Sequence, residues 1–145
     1  CTLYGDAIGA IGPLGDCTKD RVYELAKLFN EKPPNRVSDS PIPKSVIQKE
    51  PTAELSEDQK DTDDIPSYDT IDPVVKMYVE EDKTVQEIVS NINASRKDVI
   101  DVVTRITRSE FKRKQSPPAL RVTDKAFDSG WRYPIAASYN PIISD

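Results

Sequence analysis

The chain has 145 residues, of which 37% are hydrophobic and 31% charged, and its net charge is −5. This length suits about one domain with a modest core, and the negative charge disfavours nucleic acid or an anionic membrane as a partner. No apolar run approaches the roughly 18 residues of a membrane span, and the absence of histidine excludes imidazole catalysis and His-ligated metals within the chain.

Residues 1–17 contain four of the five glycines, and they predict a strand end followed by a glycine-punctuated loop. The chain opens on Cys1 rather than Met, from which we expect a cut through a longer protein. Cys1 and Cys17 form neither a disulfide framework nor a zinc spacing, so we interpret them as reduced cytosolic thiols.

Residues 18–49 predict helices. Thr18 has the character of an N-cap, and apolar residues recur at helical spacing over roughly 19–31. Pro33 and Pro34 end that helix. After a polar, proline-rich connection, residues 43–48 predict a short helix with Val46 and Ile47 directed inward.

Residues 50–69 form an acidic loop, with seven carboxylates between residues 50 and 64 and no hydrophobic period. A disordered, solvated segment is the ordinary interpretation of such composition. The Thr52-Ala53-Glu54-Leu55 and Pro66-Ser67-Tyr68 motifs at its two ends instead suggest a lid that orders over substrate. We expect residues 52–66 to be mobile without ligand.

Residues 70–115 predict further helices. Asp72-Pro73 suggests a helix start, and the segments beginning at Thr84 and Ser95 have the pattern of capping boxes. The second box opens a longer helix whose apolar face is formed by Val99, Val102, Val103 and Ile106. Basic residues that suit the negative end of a helix dipole follow in the segment 105–114. Of these, Arg105, Arg108 and Lys112 fall on one helical face, which suits either a polyphosphate site or plain charge compensation.

Residues 116–145 form an irregular, extended tail, in which we expect Phe127, Trp131 and Tyr133 to pack against the body or a neighbouring subunit. The whole segment is therefore predicted to be mainly α, with four or five helices and almost no strand. The glycine-rich front resembles the edge of a sheet whose other strands lie elsewhere. A glycine loop running into a helix that starts with Lys19 can bind phosphate, although by spacing alone a structural turn is the more common interpretation.

Several of these motifs occur in one order that resembles the NAD+ synthetase family, and its glutamine-dependent branch in particular. The matching segments are Cys1-Thr2-Leu3-Tyr4-Gly5-Asp6, Gly12-Pro13-Leu14-Gly15-Asp16, Thr18-Lys19, Pro51-Thr52-Ala53-Glu54-Leu55, Glu110-Phe111-Lys112-Arg113 and the tail from Pro118 to Ile135. The resemblance covers nearly the whole chain.

The resemblance implies a fold and a reaction. The segment would be the C-terminal part of an α/β Rossmann-like adenine-nucleotide-alpha-hydrolase (N-type ATP pyrophosphatase) fold. Such enzymes adenylate the nicotinate carboxylate of deamido-NAD+ with ATP and Mg2+, and ammonia released from glutamine in another domain then displaces AMP. The implied partners are the remainder of the synthetase, a glutaminase domain and further copies in a cytoplasmic homo-oligomer.

Site residues carry over by position. Lys19, Thr52 and Lys112 would contact ATP phosphates or pyrophosphate, Asp6 with Asp61 or Asp64 would position deamido-NAD+, and Glu54 would contact metal. The family's Ser-Gly-Gly-x-Asp-Ser loop is absent, so we expect the segment to be inactive by itself, with no catalytic residue of its own.

Residues 84–108 also have the layout of a helix-turn-helix, which makes a DNA-binding module the alternative. The acidic loop and the net charge of −5 oppose it. A third alternative is an interaction domain that dimerises through its aromatic tail.

Overall fold

The computed structural model describes residues 9–35, 41–52, 60–126 and 130–136, and this part of the chain is helical. The helices are α1 (Lys19–Glu31), α2 (Lys44–Gln48), α3 (Tyr68–Val75), α4 (Val85–Asn91), α5 (Arg96–Arg108) and α6 (Glu110–Gln115). A 3₁₀ turn spans Asp61–Asp63, and α3 continues into a π-helical turn, Lys76–Glu80. None of these helices is long and apolar enough to cross a membrane.

The core lies where α3, α4 and α5 meet. Its fully enclosed members are aliphatic, and they are Val74, Ile88, Val99, Val102 and Val103. Three of the five come from α5, where their spacing places them on one face of the helix. The sequence predicted this apolar face, and the structure confirms it.

The predicted caps of α4 and α5 differ in their details. At α4 the Thr84 hydroxyl accepts from the Glu87 amide at 3.3 Å, and the Glu87 carboxylate accepts from the Thr84 amide at 2.8 Å, so this capping box is complete. At α5 Ser95 accepts from the Asp98 amide at 3.1 Å, but its own hydroxyl donates to the Asp98 carboxylate. Ser95 therefore caps α5 without the reciprocal bond that the sequence predicted.

The predicted start of α3 at Asp72-Pro73 is wrong. The helix begins at Tyr68 after Ser67, whose carbonyl accepts from the Thr70 and Ile71 amides. Pro73 lies inside the helix, where its ring nitrogen cannot donate to the preceding turn. The short apolar pattern could not locate the start of α3. Pro73 is tolerated about one turn after that start, and the helix widens into the π-helical turn just beyond Pro73.

The region around α1 and α2 is less enclosed than the sequence predicted. The bounds of α1 agree with the prediction, yet Leu25, Leu28 and Phe29 are exposed and no residue of α1 is fully buried. The short α2 also forms as predicted, but Val46 is 59% exposed rather than directed inward. Within the described residues, these apolar side chains meet too little of the chain to be covered.

Two sets of hydrogen bonds position the first part of the chain. The Asn30 amide side chain donates to the Ile42 carbonyl at 2.8 Å and accepts from the Ile42 amide at 3.0 Å, which joins the end of α1 to the approach to α2. Gly12 forms an isolated parallel bridge with Ala119, with its amide donating to the Pro118 carbonyl at 2.8 Å. The tail therefore returns to the front.

We predict that Ile88→Ala lowers the free energy of unfolding by about 2–5 kcal/mol, because it opens a cavity in the fully buried core. The matched control Val46→Ala should change it by less than about 0.5 kcal/mol, because Val46 is exposed. Urea unfolding of both variants checks this. Equal losses for both variants would contradict the placement of the core.

Candidate functional site

The first turn of α1 is held by a carboxylate from α3. One Asp72 carboxylate oxygen accepts from the Asp20 amide at 2.8 Å, and the Thr18 hydroxyl also bonds to this carboxylate. Asp72 is only 7% exposed, and burial raises the pKa of its carboxyl. Asp72 therefore supplies the capping oxygen of α1 from a distant helix, whereas Thr18 occupies the N-cap position without a side-chain cap bond.

This cap bears on the predicted phosphate site at α1. The sequence suggested that helix-terminal amides hold a phosphate beside Lys19. In the structure the Asp20 amide is already bonded to the Asp72 carboxylate, and an anion there disfavours a second anion. Of the predicted phosphate site, what remains is the exposed ammonium group of Lys19.

Lys19 and Asp61, two of the predicted site residues, lie on either side of Tyr68. The Lys19 ammonium nitrogen is 5.7 Å from the centroid of the Tyr68 ring, within cation–π range. The Tyr68 hydroxyl donates to the Asp61 carboxylate at 2.7 Å. Burial and the bond to Asp61 raise the pKa of the Tyr68 hydroxyl, which keeps it a donor. The sequence predicted for Tyr68 only a place in the motif that ends the loop.

The acidic loop has a closed base. The Asp61 amide donates to the Pro51 carbonyl at 3.0 Å, and the Lys60 ammonium lies 2.5 Å from the Glu50 carboxylate. Thr52 is the residue after Pro51, and it is half-buried. Glu54 and the middle of the predicted lid lie outside the described residues, as does Asp6, so these assignments stay predictions.

Near the C-terminal end of the acidic loop, the Arg105 side chain contacts the main chain of Asp64. Arg105 donates to the Asp64 carbonyl at 2.9 Å and to the Asp101 carboxylate at 2.8 Å. The Asp64 side chain remains exposed. Arg105 therefore fastens the loop to α5, which makes it a structural tie rather than a free cation for phosphate.

The predicted basic face of Arg105, Arg108 and Lys112 does not lie on one helix. Ser109 ends α5 and begins α6, and its carbonyl accepts from the Lys112 amide at 2.9 Å. Lys112 is exposed on α6. The spacing of the basic residues predicted one continuous helix, because an interruption at Ser109 alone leaves that spacing almost unchanged.

A buried ion pair lies within α6. Arg113 donates to both Glu110 carboxylate oxygens, at 2.8 and 2.5 Å, and the two side chains are only 5% and 1% exposed. The Arg113 guanidinium carbon also lies 5.1 Å from the centroid of the Trp131 ring. This pair is thus enclosed, whereas the adjacent Lys112 is exposed.

The tail packs on the body as predicted for Trp131 and Tyr133, while Phe127 lies outside the described residues. The Trp131 ring makes an edge contact with Tyr78, with centroids 6.1 Å apart, and stacks on Tyr133 at 5.7 Å. Asp16 holds the tail at a second place, where its carboxylate accepts from both the amide and the hydroxyl of Thr123 and from the Val122 amide, at 2.8–2.9 Å. Sequence reasoning missed Asp16, because its partners lie more than a hundred residues away.

A cleft of about 180 Å³ lies between the front loop, α3 and the tail. Its lining residues are Gly15, Asp16, Cys17, Thr18, Asp72, Val75, Val79, Glu80, Thr123 and Lys125. It is smaller than typical small-molecule pockets of roughly 300–1,000 Å³, and Lys19, Thr52 and Lys112 do not line it. We interpret it as a crease between packed elements.

The described ranges contain no group of three acidic or cysteine side chains that could hold a metal ion. Glu54, the residue predicted to contact metal, lies outside these ranges, so that assignment stays a prediction. Two predicted substrate residues, Lys19 and Asp61, are brought together through Tyr68, whereas Lys112 lies on a different element, α6.

Comparison with known proteins defines the class to which these elements belong. Residues 1–116 match the model of the NAD synthase family. The chain belongs to this family.

The similar proteins are mainly glutamine-dependent enzymes. The chain is 42% identical over 141 residues to the glutamine-dependent NAD(+) synthetase of Synechocystis sp., covering 97% of this chain and 24% of that protein. It is 40% identical over 143 residues to the enzyme of the same name from Acinetobacter baylyi, covering 97% and 25%. The chain thus spans about a quarter of the length of these curated relatives.

A solved structure of the glutamine-dependent NAD+ synthetase from Acinetobacter baumannii is 32% identical to the chain, with 93% of this chain and 22% of that one covered. The two superpose with a TM-score of 0.47.

We predict that Asp72→Ala lowers the free energy of unfolding by about 1 kcal/mol, the usual loss for a helix cap. Asp72→Asn should lose less, because its amide oxygen still accepts from the Asp20 amide. The pKa of Asp72 is raised in the folded state, so its proton stabilises the fold below the unfolded value of about 3.9, and this contribution is lost as the pH rises through the folded pKa.

The stability of the wild type relative to Asp72→Asn should therefore fall as the pH rises from about 4. Denaturant unfolding of both proteins across this range measures the difference. A difference that is independent of pH, or that grows as the pH rises, would contradict a buried Asp72.

We predict that Glu110→Ala lowers the free energy of unfolding by about 3–5 kcal/mol, because it leaves the buried Arg113 charge uncompensated. Replacing both residues by methionine should cost less than the single change. Asp101→Ala is the matched control, since it breaks an exposed pair with Arg105 within one helix and should cost less than about 1 kcal/mol. Denaturant unfolding ranks these variants, and a Glu110 effect no larger than the control's would contradict the buried pair.

Proposed function

We propose that the chain is the C-terminal part of the ligase domain of a glutamine-dependent NAD+ synthetase. The observation that carries this proposal is sequence identity of 42% and 40% to enzymes of that name across 97% of the chain. The complete enzyme would use ATP, Mg2+ and deamido-NAD+, and would receive ammonia from a glutaminase domain outside this chain.

The proposed reaction has two steps. A carboxylate oxygen of the nicotinate group attacks the α-phosphorus of ATP, and the bond from that phosphorus to the pyrophosphate oxygen breaks. Ammonia then attacks the acyl carbon, the bond to the AMP oxygen breaks, and a proton leaves the nitrogen to give the amide. Negative charge gathers on phosphate in the first step, where fixed cations stabilise the transition state.

Two exposed lysines suit that role. Lys19, held beside Tyr68, would contact the ATP phosphates, and Lys112, next to the buried pair on α6, would contact the departing pyrophosphate. Thr52 stands at the closed base of the acidic loop and would reach ATP when the loop covers the site. Asp61 belongs to that base and Asp64 follows it, and their carboxylates would accept from hydroxyls of deamido-NAD+.

We propose that the segment completes a Rossmann-like α/β fold whose further strands come from residues outside it. The parallel bridge between Gly12 and Ala119 supports this, since it is the pairing expected at the margin of a parallel sheet. The exposed apolar face of α1 supports it as well, because sheet strands in such folds are covered by helices. Cytoplasmic location and assembly into a homo-oligomer stay predictions.

The DNA-binding alternative gains no support from the comparisons, which match synthetases. The pair α4 and α5 does form, but its contacting faces supply the core. Stacked helices with capping residues are common in helical proteins, so the layout alone does not favour DNA.

We predict different kinetic defects for three substitutions in the complete synthetase, assayed with saturating ammonium so that the glutaminase is bypassed. Lys19→Ala should raise KM for ATP and lower kcat, because its contact persists whether the loop is open or closed. Thr52→Ala should lower kcat with little change in KM for ATP, because its contact forms only on closure. Lys112→Ala should slow adenylation by roughly ten-fold or more, as expected for a lost charge-assisted bond of about 1.5–3 kcal/mol.

The matched controls are Lys27→Ala on the exposed side of α1 and Arg96→Ala at the start of α5, both of which should leave turnover nearly unchanged. Wild-type kinetics for Lys19→Ala and Thr52→Ala would contradict a shared ATP site. Salt-sensitive binding of duplex DNA that Arg96→Ala abolishes would instead favour the DNA-binding alternative.

A further inference from the structure

Tyr68 joins two residues of opposite charge that the proposed function assigns to different substrates. Its ring receives the Lys19 ammonium, and its hydroxyl donates to the Asp61 carboxylate. Tyr68 is half-buried at the first position of α3. A helix start has no general need for tyrosine, since the preceding Ser67 already supplies the carbonyl that the first turn uses.

The position of Tyr68 is set by the same helix that holds α1. Tyr68 and Asp72 are four residues apart on α3, and residues at that spacing share a helical face. Asp72 bonds to the Asp20 amide while Tyr68 contacts Lys19, so both meet the first turn of α1. The side chain of Lys19 is therefore oriented from a rigid element rather than from the loop.

We propose that Tyr68 is a positioning residue of the synthetase, whose ring aims the Lys19 ammonium at ATP phosphate while its hydroxyl aims the Asp61 carboxylate at deamido-NAD+. This inference rests on the proposed function. A cation–π contact leaves the N–H groups of the ammonium available to phosphate, which a direct ion pair with Asp61 would occupy. The phenol likewise binds one carboxylate oxygen and leaves the other available.

This arrangement also connects the loop to the nucleotide side. Asp61 is bonded through its amide to Pro51, so its backbone belongs to the closed base of the acidic loop. The Tyr68 hydroxyl is therefore bonded to a residue of the loop base, while its ring contacts Lys19. The raised pKa of Tyr68 keeps the hydroxyl protonated at neutral and mildly alkaline pH, so the link persists under ordinary assay conditions.

The test separates the two contacts of Tyr68 in the complete synthetase, again with saturating ammonium. Tyr68→Phe removes only the hydroxyl, and we expect KM for deamido-NAD+ to rise about ten-fold, as for a lost hydrogen bond to a charged group, with KM for ATP unchanged within about two-fold. Tyr68→Leu removes the ring as well, and KM for ATP should then also rise, by roughly two- to five-fold.

The controls decide which hypothesis fails. Tyr23→Phe deletes a half-buried hydroxyl one turn along α1 from Lys19 and should leave both KM values unchanged. In the double variant Lys19→Ala/Tyr68→Leu, KM for ATP should equal that of Lys19→Ala alone, because the two changes remove one interaction. If Lys19→Ala raises KM for ATP and Tyr68→Leu does not, the positioning role is wrong although the proposed function stands.

An unchanged KM for ATP in Lys19→Ala would instead contradict the part of the proposed function that places Lys19 at the ATP phosphates. Tyr68→Phe and Tyr68→Leu could instead lose activity equally, with the same fall in melting temperature and with both KM values at the wild-type level. That result would show that Tyr68 has only a structural role, and it would overturn the inference. A thermal unfolding curve recorded for each variant supplies that comparison.

Discussion

The buried carboxylate of Asp72 is the contact on which the front of this structure depends. It takes a hydrogen bond from the first turn of α1 and another from the Thr18 hydroxyl, and so joins the glycine-rich front to α3. Burial of a carboxylate is unfavourable, as the raised pKa reflects, and is tolerated because the carboxylate is hydrogen-bonded. Removing those bonds would leave both the carboxylate and the helix end unsatisfied.

Because of that contact, two sides of α3 pack against different parts of the structure. One side supplies Val74 to the core with α4 and α5, where buried aliphatic side chains hold the three helices together. The other presents Tyr68 and Asp72 to α1. The position of Lys19 is therefore coupled to the packing of the core through a single short helix, and the loop base at Asp61 joins the same helix through Tyr68.

The tail is held by polar and aromatic contacts rather than by a large apolar surface. Asp16 gathers two amides and a hydroxyl at residues 122 and 123, and the Glu110–Arg113 pair lies under Trp131. Directional contacts of this kind specify where a segment lies, even where their net stabilisation is small. They leave Lys112 exposed beside a buried pair, which suits the proposed contact with pyrophosphate.

The sequence by itself determined the helical character, the bounds of α1, the apolar face of α5, the cap at Thr84, the packing of Trp131 and Tyr133, and the family, because periodicity, caps and ordered motifs are local signals. Only the tertiary structure decided that Asp72 caps α1 rather than α3, that Ser109 divides the basic helix, and that Tyr68 contacts both Lys19 and Asp61. These features depend on partners far along the chain, and a carboxylate or a phenol carries no local mark of which distant group it will meet. The exposed face of α1 escaped the sequence for the same reason, since an apolar period predicts a buried face without saying which surface covers it.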